Sequence, residues 1–454
     1  MTVIHRLLIS NVMDITIVNQ TIFAMASGVG KSGVAVVRIS GPHACDALSK
    51  LTRKPLPVPR YASRMRLMEI NSDELLDDSI VIYFPSPNSF TGEDVVELHI
   101  HGGRSVITGV IDALTSIDEL RFAEPGEFTR RAFENDKFDL TSAEGLADLI
   151  NSETTAQRRQ AQRQMAGELG DLYDGWRDRL MRSIALFEAE IDFSDEDLPD
   201  NLFDAVGAEI QKLKVEISCH LNDGHKGQNL RDGLYITIIG PPNSGKSTLL
   251  NRLSKRDVSI VSEKAGTTRD ILEASLELEG YPIVIADTAG IRETNDEIER
   301  EGVSRAQAHA KKSDLKLCVF DGENWPEQDA RTLSMMDQNS MIVINKSDLM
   351  KEHQTEYIEV SSLTGEGFSS LIQSLTEEVI NRCQMSASPV ITRARHRESL
   401  ETCLKGLDRF ETATGAELKA EDLRLSARAL GKITGKVGVE DILDIIFAEF
   451  CIGK

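Results

Sequence analysis

The stretch Gly240-Pro-Pro-Asn-Ser-Gly245-Lys246-Ser247 stands directly behind the apolar run LYITIIG and directly ahead of the helix-forming TLLNRL. It matches G-x-x-x-x-G-K-[ST] in the context that gives the motif its meaning: strand, glycine loop, helix. The glycines let backbone amides curl around phosphate, the lysine reaches the β and γ oxygens, and the hydroxyl faces Mg²⁺. A chain holding it must build a strand that opens onto a helix N-terminus. A shorter look-alike, Gly28-Val-Gly-Lys31-Ser32, has Met25 where the first glycine would stand and no apolar helix behind it. It is a decoy, whose charge is left for some other anion.

Between about residues 233 and 386 the runs LYITIIG, YPIVIADTAG, KLCVFD and SMIVINKSD alternate with helical stretches. Such alternation implies a mostly parallel sheet with helices on both faces and ligands at the carboxyl ends of the strands. Asp287-Thr288-Ala289-Gly290 closes the run YPIVIA, where a carboxylate holds a metal's shell and the Gly290 amide senses the γ-phosphate. Asn345-Lys346-Ser347-Asp348 ends MIVI. An aspartate there accepts from the ring N–H and exocyclic amine of guanine, an edge adenine lacks. Ser361-Ser362-Leu363, after YIEV, occupies the place of the last base-contacting loop, and Gly266-Thr-Thr-Arg-Asp270 offers Thr268 as a second Mg²⁺ hydroxyl beside Ser247. The expected ligand is GTP with Mg²⁺. Ile291 follows the glycine of the second motif and cannot orient water. Catalytic help must come from elsewhere, and the Asn243 amide oxygen, open to a monovalent cation, and the acids of RETNDEIER are available.

At 454 residues the chain exceeds one hydrophobic core, and two or three domains are expected. With no apolar run of membrane-spanning length and no signal-peptide order at the N-terminus, it reads as cytoplasmic. Six cysteines without a C-x-x-C pair fit neither a disulfide framework nor a zinc site. A net charge of -22 argues against gripping nucleic acid over a whole face. The basic run Arg393 to Arg397 (RARHR) reads as a solvated helix face. Upstream, GVAVVRIS, SIVIYF and DVVELHIHGG indicate an N-terminal α/β domain, and Thr141, Ser142 and Glu144 form a capping-box pattern opening a long helical stretch. Leu169, Leu172, Trp176, Leu180, Ile184 and Phe187 recur at helical spacing and form a core stripe, while Asp192 to Asn201 is a helix-breaking connection. Helix-forming sequence returns past residue 388, so the helices before and after the central insert are expected to share one domain.

Together with GVAVVRISG, SFTGEDVVELHIHGG, PGEFTRRAFENDKFDLTSAEGLADLI, VSEKAGTTRD and the terminal FCIGK, these motifs closely resemble the bacterial tRNA modification GTPase family MnmE, also called TrmE, from about residue 21 onward. The resemblance implies an N-terminal α/β dimerisation and tetrahydrofolate-binding domain over 1–135, with 1–17 an extension and Met13 the nearer start. It implies a discontinuous helical domain over 136–228 and 387–454, and an inserted Ras-like P-loop G domain over 229–386. Implied GTP contacts are Asn243, Ser244, Gly245, Lys246, Ser247 and Thr248; Ser262, Glu263, Lys264, Ala265, Gly266, Thr267 and Thr268; and the three motifs already described. K⁺ would be held by Asn243, Ser262, the Lys264 carbonyl and Thr267, and Glu299 would orient the attacking water. Arg38, Glu97, Lys137 and Lys454 look like the contacts of 5-formyl-tetrahydrofolate, with Cys451 a nucleophile or proton donor beside it. The loop GVGKSGV is less glycine-rich than the family's version.

The activity this implies is K⁺-activated GTP hydrolysis in a homodimer. Together with an MnmG (GidA)-like FAD protein in a heterotetramer, it would place a carboxymethylaminomethyl or aminomethyl group at carbon 5 of the wobble uridine of certain tRNAs. A formyl- or 5,10-methylene-tetrahydrofolate would donate the carbon. Two rival readings are a ribosome-assembly switch of the Era or Der type and a septin- or dynamin-like assembly GTPase. The first lacks its KH-like module after residue 388, and the second does not account for Arg38, Glu97 and Lys137.

Overall fold

The computed structural model describes residues 20–28, 30–192, 202–255, 272–287, 313–327, 329–353, 356–384, 388–438, 440–448, 450 and 453. It divides into two compact units, one reaching Ala147 and taking in the last segment from Thr434, the other running from Asp148 to Ile433.

In the first unit β1 (Thr21–Met25), β2 (Ser32–Ser40), β3 (Ser63–Met68), β4 (Leu75–Phe84), β5 (Val95–Gly102) and β6 (Leu120–Phe122) form one sheet, ordered β3-β4-β5-β2-β1-β6. Only β1 and β6 pair in parallel. Period-two alternation sets the layers. Ala35, Val37 and Ile39 of β2 and Val96, Leu98 and Ile100 of β5 share a core with Ala44, Leu48 and Leu51 of the helix Ala44–Thr52 and Val110 and Leu114 of Arg104–Thr115. Arg38 and Glu97 therefore take the opposite face. Lys31 leads straight into strand β2, so the look-alike loop has no helix to complete a phosphate site.

The helix Leu140–Asn151 is capped differently from expectation. The Asp139 carboxylate accepts the Ser142 amide at 2.7 Å and the Thr141 hydroxyl at 3.1 Å, and Thr141, Ser142 and Glu144 are buried within the helix. A complete capping box occurs one helix later, where Thr154 and Gln157 open Thr155–Met165. Leu140, Ala143 and Ala147 pack with Leu443, Ile446, Phe447 and Phe450 from the end of the chain.

In the second unit the helices Glu168–Asp192, Leu202–Leu221, Ala394–Thr412 and Ala416–Thr434 share one core. The expected stripe lies in it: Leu169, Trp176, Leu180, Ile184 and Phe187 are buried against Leu213, Ile217, Leu400, Leu407, Leu423 and Leu430, with Leu172 at the margin. Helices from either side of the insert thus contribute to one core, whereas the last segment from Thr434 belongs to the first unit. The RARHR run is not a solvated face. Arg393 pairs with Asp148 at 2.7 Å, Arg395 donates to the Ile433 carbonyl at 3.0 Å, His396 is fully buried, and Arg397 grips the Leu221 carbonyl and Asp223 at 2.7 and 2.6 Å. Of the connection Asp192 to Asn201, residues 193–201 lie outside the described residues.

The insert's sheet contains β7 (Leu234–Ile239), β8 (Leu272–Leu278), β9 (Tyr281–Asp287), β10 (Leu315–Asp321), β11 (Ser340–Asn345) and β12 (Ile358–Val360), ordered β12-β11-β10-β7-β9-β8. All pairs are parallel except β8 with β9. Register brings the carboxyl ends together: Ile238 lies beside Asp287, Asp321 beside Asn345, and Asn345 beside Val360. Among the described residues no helix is long and apolar enough to cross a membrane. Burial pushes the thiols of Cys383 and Cys403 up to about 12 and that of Cys318 to about 11, which suits packing rather than reactivity.

Candidate nucleotide site

The phosphate loop leaves β7 at Gly240 and enters the helix Lys246–Lys255 after Gly245. Gly245, at φ +88, has no room for a side chain, because a Cβ there would run into the Asn345 amide nitrogen. Asn243 sits exposed on the loop at φ 64. Lys246 is buried, and its ammonium donates to the carbonyls of Gly240 at 2.9 Å and Pro241 at 2.7 Å. Burial holds its pKa below the ordinary lysine value, with Asp287 and then Asp329 opposing. Charged phosphoryl oxygens are stronger acceptors for such a group than loop carbonyls.

The Ser247 hydroxyl donates to Asp287 Oδ2 at 2.6 Å, and Asp287 is fully buried at the end of β9. A hydroxyl and a carboxylate beside a phosphate loop are the hard oxygen donors that Mg²⁺ takes. Ser244 Oγ is buried without a hydrogen-bond partner among the described residues. These residues fit a metal-bound phosphate.

Asn345 joins the loops. Its amide nitrogen donates to the Ser244 carbonyl at 2.8 Å, and its oxygen accepts from the Ser362 amide and hydroxyl at 3.0 and 2.8 Å. One buried side chain thus ties the phosphate loop to the segment after β12. Lys346, at φ 61, pairs with Asp321 at 2.6 Å. Asp348 follows in the short turn Ser347–Leu349, exposed, its carboxylate without a partner among the described residues. Ser361 and Ser362 are buried, whereas Leu363 is 80% exposed. Two residues escaped sequence reasoning here. Asp321, the last residue of KLCVFD, orients Lys346, and Arg252 donates to the carbonyls of Ser362, Leu363 and Thr364. Arg252 carried no signal beyond a lone charge in TLLNRL.

On the first unit's sheet, Arg38 meets Glu97 across the β2–β5 register through Nε at 3.1 Å and Nη2 at 2.9 Å. The guanidinium lies 5.2 Å from the Phe90 ring centroid and 5.7 Å from that of Phe128. The motif around Phe90 is pinned from below: Glu93 accepts from Ser40 at 2.6 Å and from the buried Arg131 at 3.1 Å, and Arg131 also pairs with Glu127. Burial raises the Glu127 pKa, but Arg121, the Glu124 amide and Arg131 hold it below the usual carboxylate value. A carboxylate and a cation framed by two aromatic rings suit a flat heterocycle with amine donors. Lys137 donates to the Pro87 carbonyl at 2.9 Å.

Ser262, Glu263, Lys264, Ala265, Gly266, Thr267, Thr268, Thr288, Ala289, Gly290, Glu299, Cys451 and Lys454 lie outside the described residues. So do three of the four expected K⁺ positions.

A family model for the MnmE helical domain matches residues 140–451, and one for the N-terminus of the GTP-binding protein TrmE matches 21–137. The tRNA modification GTPase MnmE of Paramagnetospirillum magneticum is 52% identical over 442 residues, covering 96% of this chain and 100% of that protein. The MnmE proteins of Parvibaculum lavamentivorans and Rhodospirillum rubrum are 52% and 48% identical, each covering 96% of this chain and 100% and 99% of their own lengths. The solved G domain of the T. maritima FeoB iron transporter, at 21% identity and TM-score 0.24, covers 33% of this chain and 99% of its own, too slight a likeness to add to these. Two family models that between them span the chain from residue 21 to 451, and relatives this similar over their whole length, place the chain in the MnmE (TrmE) family of tRNA modification GTPases.

Proposed function

We propose that this protein hydrolyses GTP and uses the hydrolysis to serve modification of carbon 5 of the wobble uridine in certain tRNAs, with an MnmG-like FAD protein as partner. The observation that carries the nucleotide reading is the joint made by Asn345, which ties the phosphate loop to the base loop beside an Asp348 carboxylate left open to a ligand. Lys246 holds and neutralises the phosphates, Ser247 and Asp287 hold Mg²⁺, and Asp348 selects guanine. When bound, Mg²⁺ neutralises charge on the phosphoryl oxygens. Support for the tRNA role comes from the relatives, each described as a tRNA modification GTPase.

In the same reading Asn243, Ser262, the Lys264 carbonyl and Thr267 take K⁺, Thr268 completes the Mg²⁺ shell, and Glu299 orients water as two G domains of a homodimer close. Arg38, Glu97, Lys137 and Lys454 take the folate that donates the one-carbon unit, with Cys451 beside it. The test is turnover of GTP and ATP by the purified protein in K⁺ and in Na⁺, with nucleoside analysis of tRNA from a deletion strain. GTP turnover faster in K⁺, and loss of the modified wobble uridine, are expected. Equal ATP turnover would remove the guanine reading, equal turnover in Na⁺ the K⁺ reading, and unchanged wobble uridines the tRNA role.

A further inference from the structure

Arg252 stands on the same helix as Lys246, and its guanidinium is committed to one loop. Nη1 donates to the carbonyls of Ser362 and Leu363, both at 2.8 Å, and Nη2 donates to that of Thr364 at 3.0 Å. The same group lies over the Phe368 ring, 5.4 Å from its centroid. Gly365, at φ +91, carries no side chain, and a Cβ there would run into Arg252.

Three successive carbonyls turned one way have a consequence for the amides. In a trans peptide the C=O and the following N–H point in opposite directions, so the amides of Leu363, Thr364 and Gly365 are turned away from Arg252. The chain itself takes two of them: the Thr364 amide donates to the Ser361 hydroxyl at 3.1 Å and the Gly365 amide to the Ser361 carbonyl at 2.8 Å. The amides of Ser361 and Ser362 are also engaged, by the Glu366 carbonyl and Asn345 Oδ1, each at 3.0 Å. Of the amides from Ser361 to Gly365, that of Leu363 alone has no acceptor among the described residues. It shares its peptide plane with the Ser362 carbonyl that Arg252 holds.

We propose that Arg252 is a positioning residue for the base: by fixing the Ser362, Leu363 and Thr364 carbonyls it presents the Leu363 amide to the 6-oxygen of a bound guanine. This rests on the nucleotide reading above and names how that site is pre-shaped. Arg252 acts through the loop, so it sets affinity for 6-oxopurine nucleotides and not the rate of the chemical step.

The experiment compares the full-length parent with Arg252→Ala, Arg252→Met, which keeps an apolar stem over Phe368, and Arg252→Lys, which keeps the charge. Nucleotide binding and turnover are measured for each. The alanine and methionine variants are expected to bind GTP and GDP about tenfold more weakly, with kcat at saturating GTP within about twofold of the parent. ITP, which keeps the 6-oxygen and lacks the 2-amine, should weaken by the same factor. The triphosphate of 2-aminopurine riboside, which lacks the oxygen, should bind parent and variants alike. Lysine should restore only part of the affinity, since one ammonium cannot reproduce the planar fork. Unchanged GTP affinity in the methionine variant, a parallel loss for the 2-aminopurine nucleotide, or a fall in kcat as large as the loss of affinity would each overturn the assignment. A parent that binds no guanine nucleotide would instead overturn the nucleotide reading itself.

Discussion

The nucleotide loops and the Arg38–Glu97 pair, the two candidate sites, hold their polar groups in place by different routes. Gly240 to Ser247 is one unbroken stretch at the end of a strand, and its neighbours arrive because parallel strands end side by side, Ile238 next to Asp287. Arg38 and Glu97 are 59 residues apart and meet in mid-strand, on one face of an antiparallel pair. A slip of one residue there would carry Arg38 to the core face. The first site is written into loop geometry and the second into sheet register. Substitution of an exposed, ligand-facing group at the first, such as Asp348, should therefore act on ligand alone, whereas at the second it touches pairing as well.

The largest effect that sharpens this contrast is expected at Asp348. Replacing it by asparagine exchanges an acceptor pair for a mixed donor and acceptor, and GTP affinity should fall on the order of 10³-fold while xanthine nucleotides gain. Competition binding with both nucleotides reads this out, and an unchanged purine preference would break the assignment.

A second prediction concerns the helical core, which belongs to neither site. Burial, helped by Arg397 and opposed by Asp223, lowers the His220 pKa from its ordinary 6.5 to about 4, and the Tyr173 hydroxyl meets its Nε2 at 3.1 Å. Between those values the unfolded chain binds the extra proton. The contribution is complete above about pH 6.5 and is lost as pH falls toward 4, up to about 3 kcal/mol in all. Urea midpoints of the protein and of a His220→Phe variant between pH 7 and 4.5 should show the variant with the flatter profile. Equal slopes would place the acid sensitivity in other groups.

Asn345→Ala removes the joint between loops and leaves the Ser244 carbonyl and the Ser362 amide with one partner fewer, so about 2 kcal/mol of stability should go with it. Guanine nucleotide affinity should fall in the same variant. Intact stability, measured by thermal unfolding without nucleotide, would mean that the loops hold each other without it. The smallest effect is expected in the first unit. Arg38→Ala should weaken binding of 5-formyl-tetrahydrofolate about tenfold and leave GTP turnover unaltered. Calorimetric titration with the folate measures this, and a matching loss of GTP turnover would mean that the two sites are not independent.

Much of the nucleotide site was legible because its motifs prescribe backbone shapes that few residues adopt. Gly245 must be glycine where a side chain would meet Asn345, and Asp287 and Asn345 each end an apolar run. The failures were charges judged without their partners. RARHR reads as a solvated face because the groups that engage it are distant in sequence: Arg393 finds Asp148 at a separation of 245 residues and Arg397 finds Asp223 at 174. The cap at Leu140 was misplaced by two residues for a related reason. Both Asp139 and Thr141 can cap, and burial of the helix's first turn decided between them.

The amino-acid order alone determined where strands end in glycine loops, which loop carries the phosphate-binding motif and which the base-selecting motif, since these depend on torsion angles and hydrogen-bonding types within a few residues. Only the tertiary structure decided that Asn345 would join two loops, that Arg252 would turn three carbonyls one way, and that Arg38 would stand opposite Glu97. Those pairings depend on strand register and helix packing, which are fixed by burying apolar faces far from the residues that meet.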